Sequence, residues 1–198
     1  TTELVEPTED ILTRVPSLPA WRAALALVFA FGGREDEARE LLFEVSGNLG
    51  VLAFSSTWLG ALMALAETAR VLDERDEAVL APIYEALSGY SDRLCVISLS
   101  LTEMGPISRP LGVLAALRGD HTRAEAHLLD ALDSSEEIGS PSHTARTRVE
   151  LARVLVDRGH PTDLERAGEL LDVALPVARD FGMAGLLLDG FQLKSALS

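Results

Sequence analysis

Three stretches of the chain repeat one arrangement of apolar and small residues, and this repetition restricts the fold more than any other feature. The clearest copy has seven positions in register, namely Leu111, Gly112, Ala115, Gly119, Ala124, Leu128 and Ala131. The steps of three and four place the side chains before and after Gly119 on one face of each of two helices. Alanines on such a face let another backbone approach closely, so the pattern predicts helix pairs that pack against neighbouring pairs.

The same seven positions recur elsewhere in the chain. The first copy reads Leu25, Ala26, Phe29, Gly33, Ala38, Leu42 and Val45. The fourth copy has a longer turn and reads Leu151, Ala152, Leu155, Gly159, Ala167, Leu171 and Ala174. The second copy is degenerate, because Leu65, Ala66, Ala69, Asp73 and Ala78 fit the pattern but Pro82 and Glu85 occupy its last two positions.

The spacing resembles that of the tetratricopeptide repeat, although the units are longer than the roughly 34 residues of a plain one. It predicts an all-α superhelix, or α-solenoid, of about four tetratricopeptide-like helix pairs with a C-terminal capping helix. The predicted pairs cover residues 19–47, 57–89, 107–138 and 142–181, and the cap covers 183–197. Residues 1–17 are predicted to be a linker, and residues 18–198 a single domain.

Glycines and prolines support these boundaries. Gly33, Gly119 and Gly159 stand where a helix end favours a left-handed residue. Pro19, Pro141 and Pro161 stand at predicted helix starts, where a missing N–H has no cost.

The segment of residues 94–106, LCVISLSLTEMGP, interrupts this regularity, since it is rich in β-branched residues and poor in charge. It is either an extended loop or a strand-like crossing. We expect an ordered loop packed on the helices rather than a flexible lid, because an isolated strand would have nothing to pair with.

The charge balance excludes several classes of function. The chain has 17 Lys and Arg against 31 Asp and Glu, a formal net charge of −14. Direct binding to nucleic acid or to an anionic membrane is therefore not expected. Lys194 is the sole lysine, and its context FQLKSAL does not form a phosphate-binding P-loop. The longest apolar run, residues 23–31, is too short to span a bilayer.

Neither a cofactor nor a metal site nor a catalytic residue is predicted. Cys95 is the single cysteine, so it cannot form an internal disulfide, and a reducing, cytoplasmic compartment fits. His121 and His127 are six residues apart, a poor spacing for a metal site, and no familiar catalytic motif is present. The aromatic residues Trp21, Trp58, Tyr84 and Tyr90 are predicted to serve packing between helices.

Three segments, LPAWRAALALVFAFGGREDEARELL, MGPISRPLGVLAALRGDHTRAEAHLLDAL and ARTRVELARVLVDRGHPTDLERAGELLDVALPVARDFGM, resemble a known family. They are similar to the C-terminal helical-repeat region of large actinobacterial regulators, which place such repeats after a signal-transduction ATPase. Some of these regulators end in a LuxR-type DNA-binding domain, and others begin with a class III nucleotide cyclase. The resemblance implies a sensing or scaffolding segment, and neither ATPase nor output-domain motifs are found in this chain.

In a tetratricopeptide array, certain positions of the first helix of each pair face the concave groove. Applied here, this register gives five charged candidates for ligand binding, which are Glu67, Arg70, Arg109, Arg146 and Arg153. Four arginines in one groove would recognise an acidic peptide or a carboxylate or phosphate group. The alternative is that each arginine pairs with a neighbouring carboxylate, for example Arg146 with Glu150 at i,i+4.

The sequence thus favours a non-enzymatic binding and regulatory module within a larger bacterial signalling or transcriptional regulator. Its expected partner is a protein, a peptide with acidic groups or a small ligand, and self-association is left open. One alternative is a free-standing tetratricopeptide adaptor, for which this short chain would be complete. A less favoured alternative is an α-helical enzyme acting on a small molecule, which would need a closed cavity with convergent polar groups.

Overall fold

The computed structural model describes residues 19–52, 57–97 and 102–197, and these are mostly helical. The helices before Gly119 are α1 (Pro19–Phe31), α2 (Glu35–Ser46), α3 (Trp58–Val71), α4 (Glu77–Ser88) and α5 (Ser108–Leu117). Those after it are α6 (His121–Glu137), α7 (Pro141–Arg158), α8 (Pro161–Asp180) and α9 (Ala184–Ala196). Helices cover each of the four predicted pairs and the predicted cap, with outer ends within one residue of those expected. The predicted linker, residues 1–17, lies outside the described residues.

The turn signals are confirmed. Gly33, Gly119 and Gly159 have φ angles of 77°, 78° and 72°, and each follows the end of a helix. Asp73, which takes the same place after α3, also has a positive φ of 50°. An aspartate tolerates this conformation better than most side chains do, but less well than glycine.

The chain divides into two compact units, Thr1–Arg118 and Gly119–Ser198. In the first unit, α1 contacts α2 and α3, α3 contacts α4 and α5, and α2 contacts α4. Helix α3 is buried along its whole middle, from Gly60 to Ala69, as its apolar composition leads one to expect. The single-domain assignment for residues 18–198 concerns both units together, and it stays a prediction.

The position assigned to Ala78 in the second copy is wrong. Ala78 is exposed, whereas the next residue, Val79, is 3% exposed and Ile83 is fully buried. The cause is the turn after Asp73, which continues to Asp76, where the side chain caps α4 by accepting a hydrogen bond from the Ala78 N–H. The buried positions are therefore shifted by one residue, so that Pro82 and Glu85 do not interrupt the packing face.

The expectation of a loop over residues 94–106 is also wrong for the part that is described. Two short strands, β1 (Leu94–Ile97) and β2 (Thr102–Pro106), form an antiparallel hairpin with a bulge between Cys95 and Val96. The segment is strand-like because it supplies its own partner, which the sequence argument overlooked. An isolated two-stranded hairpin is only marginally stable, so this hairpin depends on packing against helices. Strand β1 contacts α3, and β2 contacts α5.

In the second unit, α7 contacts α6, α8 and α9, and α8 contacts α9. Helix α9 buries one stripe, formed by Leu186, Gly190 and Leu193. Its outer face exposes Leu188 and Phe191, which are 61% and 50% accessible. Large apolar side chains thus stand beside the exposed Gln192 and Lys194, whereas a terminal cap typically has a polar outer face.

In the part of the chain that is described, no helix is both long and apolar enough to cross a membrane.

Candidate functional site

Three of the five charged residues predicted from the repeat register come together in the first unit. Glu67 and Arg70 lie one turn apart on α3, and Arg109 lies in the first turn of α5. Arg70 Nε donates to Glu67 Oε1 at 2.9 Å, and Arg109 Nη1 donates to Glu67 Oε2 at 3.2 Å. Each carboxylate oxygen of Glu67 thus binds a different arginine, and the three residues are called the charged cluster below.

The charged cluster is buried. The side chains of Glu67 and Arg109 are 10% and 8% exposed, and that of Arg70 is 15% exposed. Charges so far from water are stable only when they are paired, since the loss of hydration must be offset by attraction. Glu67 holds both arginines, one through each of its carboxylate oxygens.

Arg109 has one polar atom that these contacts do not satisfy. Its Nε is buried and has no hydrogen-bond partner in the described residues. Buried polar groups in native proteins are nearly always hydrogen-bonded, and an exception usually marks a bound water, an ion or a functional role. This orphaned donor could not be foreseen from sequence.

The hairpin and α5 are joined directly at this place. Pro106 ends β2 and pairs with Leu94, and the following Ile107 donates its N–H to the Arg93 carbonyl at 3.0 Å. Gly105, which pairs with Cys95 beside the bulge of the hairpin, has a φ of 94°. The hairpin thus fixes where α5 begins and where Arg109 stands.

The hairpin also packs on α3, next to Gly60. A Cβ atom on Gly60 would lie 3.1 Å from Ile97 Cδ1 and 3.5 Å from Met104 Sδ. Glycine is therefore the residue that leaves room for the hairpin on this helix. This contact was not predicted from the sequence, although the small residue at position 60 was a signal for it.

The remaining two predicted residues, Arg146 and Arg153, lie on α7 in the second unit. Arg153 is paired, since its Nε lies 3.4 Å from Glu150 and its Nη2 lies 3.4 Å from Asp189 of α9. This agrees with the alternative that the arginines pair with neighbouring carboxylates. Arg146 is half-buried, and its pairing with Glu150 stays a prediction.

The second unit contains an ion-pair network that sequence reasoning missed. Arg158, the last residue of α7, donates from Nε and Nη2 to both oxygens of Asp163 at 2.6 and 2.9 Å. Its Nη1 donates to Glu125 of α6 at 2.8 Å, and Arg166 donates to the other Glu125 oxygen at 3.0 Å. The hydrogen bonds from Arg158 hold the pKa of Asp163 below its ordinary value. The network ties α6, α7 and α8 together, which is a structural role.

The predicted packing role of the aromatic side chains is confirmed for three of them, as Trp58, Tyr84 and Tyr90 pack on the core of the first unit. Trp21 is 41% exposed. Cys95 is buried, and this burial raises the pKa of its thiol. Within the described ranges, no group of three or more potential metal-binding side chains occurs.

Comparison with models of known protein families and with curated proteins gave no match to this chain. The charged cluster and its surroundings are therefore the basis on which a function is inferred.

Proposed function

We propose that this chain is a non-enzymatic binding module whose helix pairs stack as a tetratricopeptide-like superhelix. It acts as the sensor or scaffold segment of a larger bacterial signalling or transcriptional regulator. The observation that carries the proposal is the charged cluster, which draws residues from two successive predicted pairs to one place. Arginines at such positions recognise acidic groups on a peptide, a protein or a small molecule.

The contacts of the first unit support the superhelix. The first helices of successive pairs, α1, α3 and α5, contact one another in order, and the second helices α2 and α4 do the same. Stacked helix pairs produce this order, in which each element contacts the equivalent element of the next pair. The buried residues at the repeated positions, such as Ala38 and Ala124, agree with close packing of this kind.

The binding role can be tested by affinity capture with a matched variant. Wild-type chain, Arg70→Gln and Arg39→Gln are immobilised and exposed to lysate of the source cells, and bound proteins are compared by quantitative mass spectrometry. Arg39 is the control because its side chain is 43% exposed on α2 and pairs with Glu35 of the same helix, not with Glu67. We expect a defined partner to bind the wild type and the control and to be lost from Arg70→Gln. Equal capture by all three chains would contradict a role for the cluster.

The attachment to a regulator can be tested separately. An antibody raised against this segment is used to measure the mass of the natural polypeptide in source cells. A band several times larger than 21.2 kDa supports a module of a multidomain regulator. A band near that mass would overturn this part of the proposal and leave a free-standing adaptor.

A further inference from the structure

The first turn of α5 contains backbone N–H groups that have no hydrogen-bond acceptor within the helix. The first N–H groups of any helix have no partner within it and are usually capped by a preceding polar side chain. Here the preceding residue is Ile107, which makes no side-chain cap. Pro110 has no N–H, so Ser108 and Arg109 supply the free amides of this turn. Both residues are buried, at 1% and 6% exposed.

The orphaned Nε of Arg109 lies at the same end of the helix. Side chains on a helix lean back towards its N-terminus. Nε is four bonds from Cα, and with bonds of about 1.5 Å it stays within about 5 Å of it. Since Arg109 is the second residue of α5, this donor and the two amides belong to one small region.

Among the described residues, Glu67 binds one nitrogen of the Arg109 guanidinium, Nη1, and Nε has no acceptor. A carboxylate or phosphate that binds arginine through two parallel hydrogen bonds commonly uses the edge that includes Nε. The positive end of the helix dipole favours an anion at the same point.

We propose that the N-terminus of α5 binds one oxyanion, the carboxylate or phosphate group of the recognised ligand, through Arg109 Nε and the Ser108 and Arg109 amides. This inference rests on the proposed function, because it names the chemical class that the module recognises. Glu67 then acts as a positioning residue that holds the guanidinium in place.

Entry of the anion requires a local opening, because Nε is enclosed in the structure. The end of the hairpin is the element that can open, since it is attached to α5 by the Leu94–Pro106 pairing and by the bond from Ile107 to Arg93. Local opening of short elements is less costly than global unfolding. We therefore expect slow association compared with an open site.

The experiment uses the whole chain with inorganic phosphate and with acetate as probes, at constant ionic strength and pH. Amide chemical shifts of the wild type are followed by NMR, and affinities are measured by calorimetry. We expect saturable shifts concentrated at Ser108 and Arg109 with at least one probe. Binding of phosphate alone identifies a phosphate group as the ligand's anion, and binding of acetate identifies a carboxylate. Absence of saturable shifts at these amides with both probes would overturn the proposal.

Variants test the role of Arg109 in this binding. Arg109→Lys keeps the charge but removes Nε and the fork, so we expect affinity to fall by roughly tenfold or more. Arg118→Lys is the matched control, since Arg118 pairs with Glu77 at the surface of the same unit, and its affinity should stay within about twofold of wild type. Equal affinities of Arg109→Lys and wild type would refute the assignment. If Arg109→Lys does not fold, the wild-type amide shifts still decide the question.

The two proposals can fail independently. Saturable, Arg109-dependent phosphate or acetate binding without capture of a protein would keep the anion site and remove the protein-binding role, which leaves a small molecule as the ligand. Partner capture that depends on Arg70, without anion binding at α5, would keep the module and remove the oxyanion site.

Discussion

Replacing Glu67 with glutamine would remove the charge that holds the cluster together while keeping the size of the side chain. Arg109 and Arg70 would then remain 8% and 15% exposed without their shared counter-charge. Removing one partner of a buried ion pair costs about 3–5 kcal/mol. Glutamine still offers one oxygen to one arginine, so we expect a loss near the lower end, about 3 kcal/mol. For a chain of this size, this corresponds to a fall in Tm of about 6–12 °C.

Tryptophan fluorescence during urea unfolding provides a selective assay. Both tryptophans of the chain, Trp21 and Trp58, lie in the first unit together with the charged cluster. The matched control is Glu44→Gln on α2, because Glu44 also pairs with an arginine, Arg22, but its side chain is 54% exposed. Such a surface pair contributes about 0–1 kcal/mol. An equal free energy of unfolding for the two variants would refute the claim that the cluster acts as a buried ion pair.

Two further predictions concern the second unit. Gly190→Ala should destabilise the packing of α9 by about 1–3 kcal/mol, because the new Cβ would lie 2.5 Å from Leu175 Cδ2. Gly185→Ala on the same helix meets no atom within 4 Å and should be neutral or stabilising by up to about 1 kcal/mol; equal thermal shifts in circular dichroism would contradict this packing. Asp163 should contribute to acid sensitivity, since its pKa is lowered in the folded protein by Arg158. The stability it confers is complete above the unfolded-state pKa of about 3.9 and is lost as pH falls through the lower folded-state pKa. The Tm of the wild type should thus fall more steeply below about pH 4 than that of Asp163→Asn, and parallel Tm curves would exclude this role.

The helices were predictable because their signal is local and is repeated along the chain. Regular steps of three and four, with glycine or proline at the ends, define each helix without knowledge of the partner. The prediction that Ala78 is a buried repeat position was wrong because burial there depends on a turn whose length the repeat pattern does not specify. The pattern recognised a small residue, but the length of the turn between Asp73 and Asp76 decides which residue faces inward. The hairpin was missed because its two strands are short and stabilise each other, so neither has a strong pattern of its own.

The charged cluster was partly predictable. The repeat register placed Glu67 and Arg70 on the groove side of one helix and Arg109 on the groove side of the next first helix, and these three side chains do meet. The register did not show that the arginines share one carboxylate, or that Arg109 Nε is left without an acceptor. Those properties depend on side-chain directions and on a neighbouring hairpin, which helical periodicity does not encode. The Arg158 network was missed because its contacts join three helices across a turn.

The contact of the hairpin with α3 restricts which substitutions can be accepted during evolution. A side chain at position 60 would press on Ile97, whose Cδ1 lies 3.1 Å from the place of its Cβ, and would touch Met104 at 3.5 Å. These three positions should therefore change together, with a larger residue at one compensated by smaller residues at the others. Because β2 leads directly into α5, a change at position 60 that is not compensated would also move Arg109, which is 49 residues away in the chain. In related sequences, residues 60, 97, 104 and 109 should therefore covary. Such covariation would show that the residue at position 60 of α3 influences the position of the charged residue 109 of α5.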